Sequence, residues 1–200
     1  MAFLILIRHA ATIENDLGIY MGQRDSQCKT EALLQANSMA LEIATLRISQ
    51  LFSSPLNRCL DTAAAILPTL RPIIDCNLAE RNLGRCAGLS IGQIGLQYPE
   101  MILSTGELDI RKTPPEGESL HVFASRICHF IRMICEAPKN EYIAVVTHTW
   151  VISMLRYLVQ GCSFSAAFEA YEPHLVPRIF EMLPTVVPSA EAAVVRISEI

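Results

Sequence analysis

The sequence predicts an α/β fold, a three-layer α/β/α sandwich with a mostly parallel central sheet. Three observations carry that expectation. Short apolar runs that end sharply in polar residues recur at residues 2–7, 51–54 and 142–147, and runs without polar alternation are strands buried on both faces. Helix-like stretches separate these runs, and alternating β and α elements are the pattern of a parallel sheet with helices on both faces. The 200 residues suffice for one such domain with a sizeable core. No repeat, low-complexity tract or linker divides residues 1–200, so a single domain is expected.

The elements follow in order. Residues 2–7 form the first strand, which ends at Arg8-His9. Residues 31–45 have the apolar spacing of an amphipathic helix. Residues 51–54 form the second strand. Ser54 suits an N-cap and Pro55 a first helical position, for a helix over 57–67 that Pro68 ends. Ile73-Ile74 is a short strand. Residues 90–98 form a helix capped by Ser90 and stopped by Pro99, although Gly92 and Gly95 lower its propensity. Residues 99–117 are rich in turn formers and end in Pro114-Pro115 and Gly117; they read as a surface excursion of the kind that covers sites. Residues 118–135 form a helix, 142–147 the third strand and 151–160 its helix. Residues 178–183 and 193–197 form a closing strand pair.

Composition bounds the function. Hydrophobic residues make up 51% of the chain and mean hydropathy is positive, which excludes disorder. The richest apolar segment, residues 143–159, is interrupted by His148 and Arg156 and is too short for a membrane span. The start lacks the basic flank and small-residue cleavage site of a signal peptide, so a cytoplasmic setting without a membrane partner is expected. The seven cysteines contain no C-x-x-C pair, so they read as buried thiols of a reducing compartment rather than a zinc site or disulfide framework. Net charge is −4 with no basic run, which disfavours nucleic acid as a partner. Thirteen of the sixteen basic residues are arginine, the side chain suited to bidentate phosphate or carboxylate recognition.

Each of the three strands delivers a cation or an imidazole where it exits, and the carboxyl ends of parallel strands are where ligands sit. Taken alone, Arg8-His9 reads equally as a strand ended by solvated residues. Together, Arg8, His9, Arg58 and His148 point to one pocket.

These residues lie in motifs of a known family. Arg8-His9-Ala10, continued by Asn15, Gly22 and Asp25, resembles the R-H-G signature of the histidine phosphatase superfamily, the phosphoglycerate-mutase-like proteins. Ser54-Pro55-Leu56-x-Arg58-Cys59-x-x-Thr62-Ala63 is similar to the family's S-P-L-x-R-A-x-x-T-A. Leu78-Ala79-Glu80 with Gly84 and Gly88 resembles its acid-bearing loop, Gly117-Glu118-Ser119 with Arg126 its G-E-S helix start, and Val145-Val146-Thr147-His148 its second histidine motif. Ala10, Ala11, Thr149 and Trp150 depart from the pattern.

The resemblance implies a phosphoglycerate-mutase-like fold and a phosphatase that hydrolyses a small phosphomonoester through a phosphohistidine intermediate. His9 is the implied nucleophile, and Glu80 the general acid, with a pKa raised by partial burial. Arg8, Asn15, Arg58 and His148 are implied to bind the phosphate, His148 adding a third positive charge if protonated. Gly22, Gln23 and Thr149 are implied substrate contacts. The arginines stand where a metal would otherwise be needed, so neither metal nor cofactor is expected, and the partner is a small phosphorylated metabolite. A phosphoglycerate mutase or an α-ribazole phosphatase are alternative activities. A weakly active phospho-ligand-binding regulatory module is an alternative of another class, motivated by the departures.

Other residues receive plainer readings. His121 and His129 belong to a helix surface, His174 to a turn beside Pro173, and Glu118 and Ser119 to a helix cap. Trp150 is expected to pack within its helix rather than narrow the mouth. Arg24, Arg81 and Arg85 face either the pocket mouth or solvent. Arg58, beside Arg8, is expected to matter to the anion and not to folding.

Overall fold

In the computed structural model, residues 2–135, 141–169 and 172–182 are described. Along the chain they form β1 (Ala2–Arg8), α1 (Ile13–Asp16), β2 (Ile19–Tyr20), α2 (Thr30–Ala44), β3 (Ile48–Ser53), α3 (Asn57–Ile66), β4 (Ile73–Ile74), β5 (Leu89–Ser90), α4 (Ile91–Gln97), α5 (Leu120–Cys135), β6 (Tyr142–Thr147), α6 (Thr149–Gln160), α7 (Phe164–Phe168) and β7 (Arg178–Met182). The main sheet runs β4-β3-β6-β1-β7; all its pairings are parallel except that of β7 with β1. A two-stranded ribbon, β2 with β5, stands apart from it.

The apolar runs of the central strands are explained by burial on both faces. Leu4 and Leu6 of β1, Ile143 and Val145 of β6 and Phe52 of β3 pack into one core with α5 and α6. The alternate residues, Ile5 and Ile7, Ala144 and Val146, and Leu51, pack into a second core with α2 and α3. Side chains alternate across a strand, so a strand between two helical layers has to be apolar at every position. Each Ile or Leu so buried contributes about 1.5–3 kcal/mol. α5 answers with a wide apolar stripe that includes Phe123, Ile127, Ile131 and Ile134. α6 ends at Gly161 in the left-handed conformation.

One local expectation changes. The helix expected over 57–67 does begin at Asn57, but its N-cap is Leu56, not Ser54, and Pro55 lies outside it. Its exposed first-turn donors are met from outside: Asp25 accepts from the backbone N–H and the side-chain amide of Asn57, both at 2.9 Å. Ser54 Oγ is engaged elsewhere, with Leu56 N–H and the His148 ring. β7 pairs antiparallel with β1; residues 183 and 193–197, expected to complete the closing strand pair, lie outside the described residues. Residues 99–117 form the expected excursion, pinned from beneath. The buried Arg81 donates to the carbonyls of Ile110, Lys112 and Glu118. Gly84, at φ 50°, lies so close under this segment that a Cβ there would meet Pro115 O at 2.0 Å.

Among the described residues, no helix is long and apolar enough to cross a membrane.

Candidate active site

The sheet register brings the two predicted histidines together. Arg8 pairs with Thr147 at the ends of the adjacent strands β1 and β6, and His9 N–H donates to Thr147 O at 3.0 Å. The rings of His9 and His148 then lie with centroids 5.2 Å apart. His9 Nδ1 lies 2.8 Å from Ala10 O. A carbonyl only accepts, so Nδ1 carries the proton and Nε2 keeps the lone pair. Burial and the charges of Arg58 and Arg8 hold the His9 pKa well below its ordinary value. The ring is neutral near pH 7, as a nucleophile must be. Ala10 takes the place of a glycine without obstruction: it is fully buried in the α2/α3 core.

Arg8 and Arg58 both line a cleft of about 600 Å³ that also contains His9, Asn15, Gly22, Glu80 and Thr149. Arg8 Nη1 donates to the carbonyl of Glu172 at 2.6 Å. Arg58, 3% exposed, donates from Nη1 to Arg24 O and from Nη2 to Gly22 O, both at 2.8 Å. Arg58 thus ties the 22–24 loop to α3 as well as presenting its charge to the cleft. Gly22 is at φ 53°, and a Cβ there would crowd Arg81 O and Leu83 at 3.1 Å. Asn15 Oδ1 accepts from Thr12 N–H in a capping box, which leaves its amide nitrogen for a ligand.

Glu80 is a buried carboxyl that lines the cleft. Burial raises its pKa, against the opposing influence of Arg81 N–H, Arg58 and Trp150 N–H. Its Oε1 accepts from Arg81 N–H at 2.9 Å and its Oε2 from Trp150 N–H at 3.5 Å. The Glu80 backbone is held as well: Gln23 Nε2 donates to its carbonyl at 2.9 Å and Arg126 Nη2 at 3.1 Å. Arg126 is itself locked to Glu118, Nε to Oε1 at 2.7 Å and Nη2 to Oε2 at 3.0 Å.

Several assignments change accordingly. Gln23 is exposed and does not line the cleft; it supports the Glu80 carbonyl. His148 is 1% exposed and not part of the cleft wall, with Nε2 at 2.8 Å from Ser54 Oγ and 3.4 Å from Cys59 Sγ. Burial, with Arg58 and His9, pushes its pKa well down, so it is not by itself the third positive charge; only an adjacent dianion would raise it again. Glu118 pairs with Arg126 rather than capping α5, whereas Ser119 Oγ does accept from Val122 N–H. Trp150 packs against two cores and also lines the cleft. Arg81 faces neither mouth nor solvent, and Arg85 is an exposed partner of Glu116. His121 and His129 are exposed on α5, as expected.

Two residues were missed. His174 does lie in a turn, but the turn folds back onto the nucleophile: its Nδ1 donates to His9 O at 2.6 Å, its ring centroid is 5.2 Å from that of His9, and it lines the cleft. Ser26 also lines the cleft, and its Oγ, like Thr149 Oγ1, is buried without a hydrogen-bond partner among the described residues. No periodicity marks either residue; the only signal for Thr149 is its place one residue after His148.

A family model described as histidine phosphatase superfamily (branch 1) matches residues 4–173. The chain belongs to the histidine phosphatase superfamily. Its relatives within that superfamily include phosphoserine phosphatase 1 of Hydrogenobacter thermophilus, 29% identical over 74% of this chain and 72% of that protein. A metal-independent phosphoserine phosphatase of Arabidopsis thaliana is 31% identical over 74% of this chain and 65% of its own. A 2,3-bisphosphoglycerate-dependent phosphoglycerate mutase of Rhizobium etli is 24% identical over 91% of both. The fold is shared with a mycobacterial glucosyl-3-phosphoglycerate phosphatase (TM-score 0.78, 23% identity, 88% of this chain and 91% of that one). It is shared likewise with the α-ribazole phosphatase of Shigella flexneri (TM-score 0.77, 21% identity, 90% of each chain). A histidine phosphatase with phosphatase-named relatives is a phosphatase enzyme, and the cleft is its candidate active site.

Proposed function

We propose that the protein is a metal-independent phosphatase that hydrolyses a small phosphomonoester through a phosphohistidine at His9. The observation that carries this reading is the neutral His9 ring, with Nδ1 fixed as a donor and Nε2 available, set between Arg8 and Arg58 in the same cleft as a carboxyl of raised pKa. The chemistry follows from the residues. Arg8, Arg58 and the Asn15 amide bind the non-bridging oxygens, so catalysis is positioning and charge stabilisation. His9 Nε2 attacks phosphorus, the phosphorus–alkoxide bond breaks, and protonated Glu80 donates its proton to the leaving oxygen. Glu80, now ionised, takes a proton from water as that water attacks the phosphohistidine, which releases phosphate and restores both groups. A pure phosphate-binding module would need neither the tautomer held at His9 nor the acid at Glu80. The free state of all seven cysteines fits a reducing, cytoplasmic setting.

The names of the relatives make phosphoserine and phosphoglycerate the first esters to assay. The test of the mechanism compares an alkyl phosphate with p-nitrophenyl phosphate in excess EDTA, for wild type and Glu80→Gln. Hydrolysis should survive the chelator. Glu80→Gln should slow release of the alkoxide on the order of 10²–10⁴-fold and spare the phosphorylation step with nitrophenolate, which leaves without a proton. Activity lost to EDTA and restored by a divalent cation, or equal loss in that step with both esters, overturns the proposal.

A further inference from the structure

The cleft holds far more space than a phosphoryl group needs, and the wall above its floor has a particular chemistry. We propose that the enzyme selects phosphomonoesters whose alcohol is flat, apolar and uncharged or cationic, and that Tyr20, Trp150 and Glu107 make this selection. The inference rests on the phosphatase reading above and specifies its substrate class.

Tyr20 and Trp150 both line the cleft, with ring centroids 6.4 Å apart and planes inclined at 40°. Trp150 is fixed from two sides, because it packs against the α5/α6 core and also against the small core under the excursion. Its backbone N–H reaches Glu80, so the indole stands beside the general acid, where the alcohol portion of a bound ester has to lie. A second hollow of about 240 Å³ shares Tyr20, Glu107 and Trp150 with the cleft and adds the stacked rings of Phe164 and Phe168, 4.4 Å apart. Tyr20 and Trp150 together form one aromatic face, which favours a flat apolar group by stacking and burial.

On its cleft side that wall carries one sign of charge. Among the described residues, Glu107 is the lone charged side chain lining the cleft beyond Arg8, Arg58 and Glu80, the two imidazoles set aside. It comes from the excursion, where a tight turn closed by Leu103 N–H to Glu107 O at 2.8 Å presents it beside Gly106. Its charge reaches Tyr20, whose phenol pKa is raised by burial and by Glu107. The neighbouring arginines have other partners: Arg81 donates to three backbone carbonyls, Arg126 pairs with Glu118 and Arg85 with Glu116, and Arg111, which lines the second hollow, lies over the Phe164 ring at 5.3 Å and 3.9 Å from Asp109. A carboxylate on the alcohol portion would therefore lie against apolar rings and near a like charge, and among the described residues the cleft itself offers no cation beyond the phosphate-binding pair Arg8 and Arg58. An ammonium or an uncharged ring system meets neither penalty.

The experiment uses primary alkyl esters with comparable leaving groups: 2-(indol-3-yl)ethyl phosphate, 2-aminoethyl phosphate, phosphoserine and 3-phosphoglycerate. Wild type should show kcat/KM at least roughly 10-fold higher for the indolylethyl ester than for either carboxylate ester. Trp150→Leu, with Trp150→Phe as the conservative form, should narrow that ratio about 3- to 10-fold, the phenylalanine form less so. Glu107→Gln should narrow it about 3-fold by favouring the carboxylate esters. Affinities of the four esters for His9→Ala, measured by calorimetry, read the wall without turnover and should rank in the same order. A preference for the carboxylate esters in rate and affinity, or a ratio unmoved by substitution at both positions, overturns the inference. The predicted ranking of affinities with no ester hydrolysed by wild type would instead remove the phosphatase reading and leave the selective wall standing.

Discussion

His9 has two imidazole neighbours, and the one that a sequence reading passes over bears directly on its position. His174 donates from Nδ1 to the His9 carbonyl, while Leu175 N–H donates to the carbonyl of Arg8 at 3.0 Å. This turn therefore clamps the backbone of both Arg8 and the proposed nucleophile His9. His174→Ala should lower kcat about 10-fold with a smaller change in KM, because the loss is of nucleophile positioning. His174→Asn, whose amide donates to the same carbonyl, should recover most of it. A merely structural role would lower the melting temperature in both variants without that recovery. Arg8, His9, Arg58 and Glu80 were legible in the sequence because each sits at a strand exit or in a multi-residue motif. His174 was not, since its contact spans 165 residues of chain and no local pattern records it. Gln23 was placed near the site correctly, but sequence does not show which way an amide points, and this one holds Glu80 from outside.

At the scale of elements, α3 shows how the site and the fold share residues. Its first-turn donors are met by Asp25, and its second residue, Arg58, holds the carbonyls of Gly22 and Arg24. Helix and loop are thus tied reciprocally. Asp25→Ala should cost about 1 kcal/mol of stability, the scale for loss of an N-terminal cap, read from denaturant unfolding. Arg58→Ala should lose on the order of 10²–10³-fold in kcat and should also lower stability, the reverse of what two repelling cations alone would give. The helices and central strands were readable because burial on both faces of the sheet, or on one face of a helix, imposes an apolar period. The capping of α3 was not, because its partner Asp25 lies 32 residues earlier in the chain. The course of residues 99–117 was not either, since Arg81 pins it through backbone carbonyls that have no sequence signature.

Over the whole molecule, the balance of buried titratable groups predicts the pH dependence of stability. His9, His148 and His174 all have lowered pKa values, His174 to about 4 through burial and the charge of Arg8. Below the ordinary histidine pKa of about 6.5 the unfolded chain binds protons that the folded chain does not, so stability is lost as pH falls from about 6.5 toward 4. Glu80, with its raised pKa, acts with the opposite sign, but it is one group against three. The melting temperature should therefore drop between pH 7 and pH 5, and phosphate should lessen the drop, because a bound dianion favours the protonated imidazoles and stabilises the folded state by mass action. A melting temperature flat over this range would show that the histidines are not held neutral. The central claim is that His9 carries the phosphoryl group. The most direct measurement mixes the enzyme with radiolabelled phosphomonoester, quenches in alkali during turnover and maps the label. Acid-labile, base-stable label is expected on the peptide containing His9 and none in His9→Ala, with kcat in that variant reduced at least about 10³-fold. Label on another residue, or full turnover by His9→Ala, would contradict it.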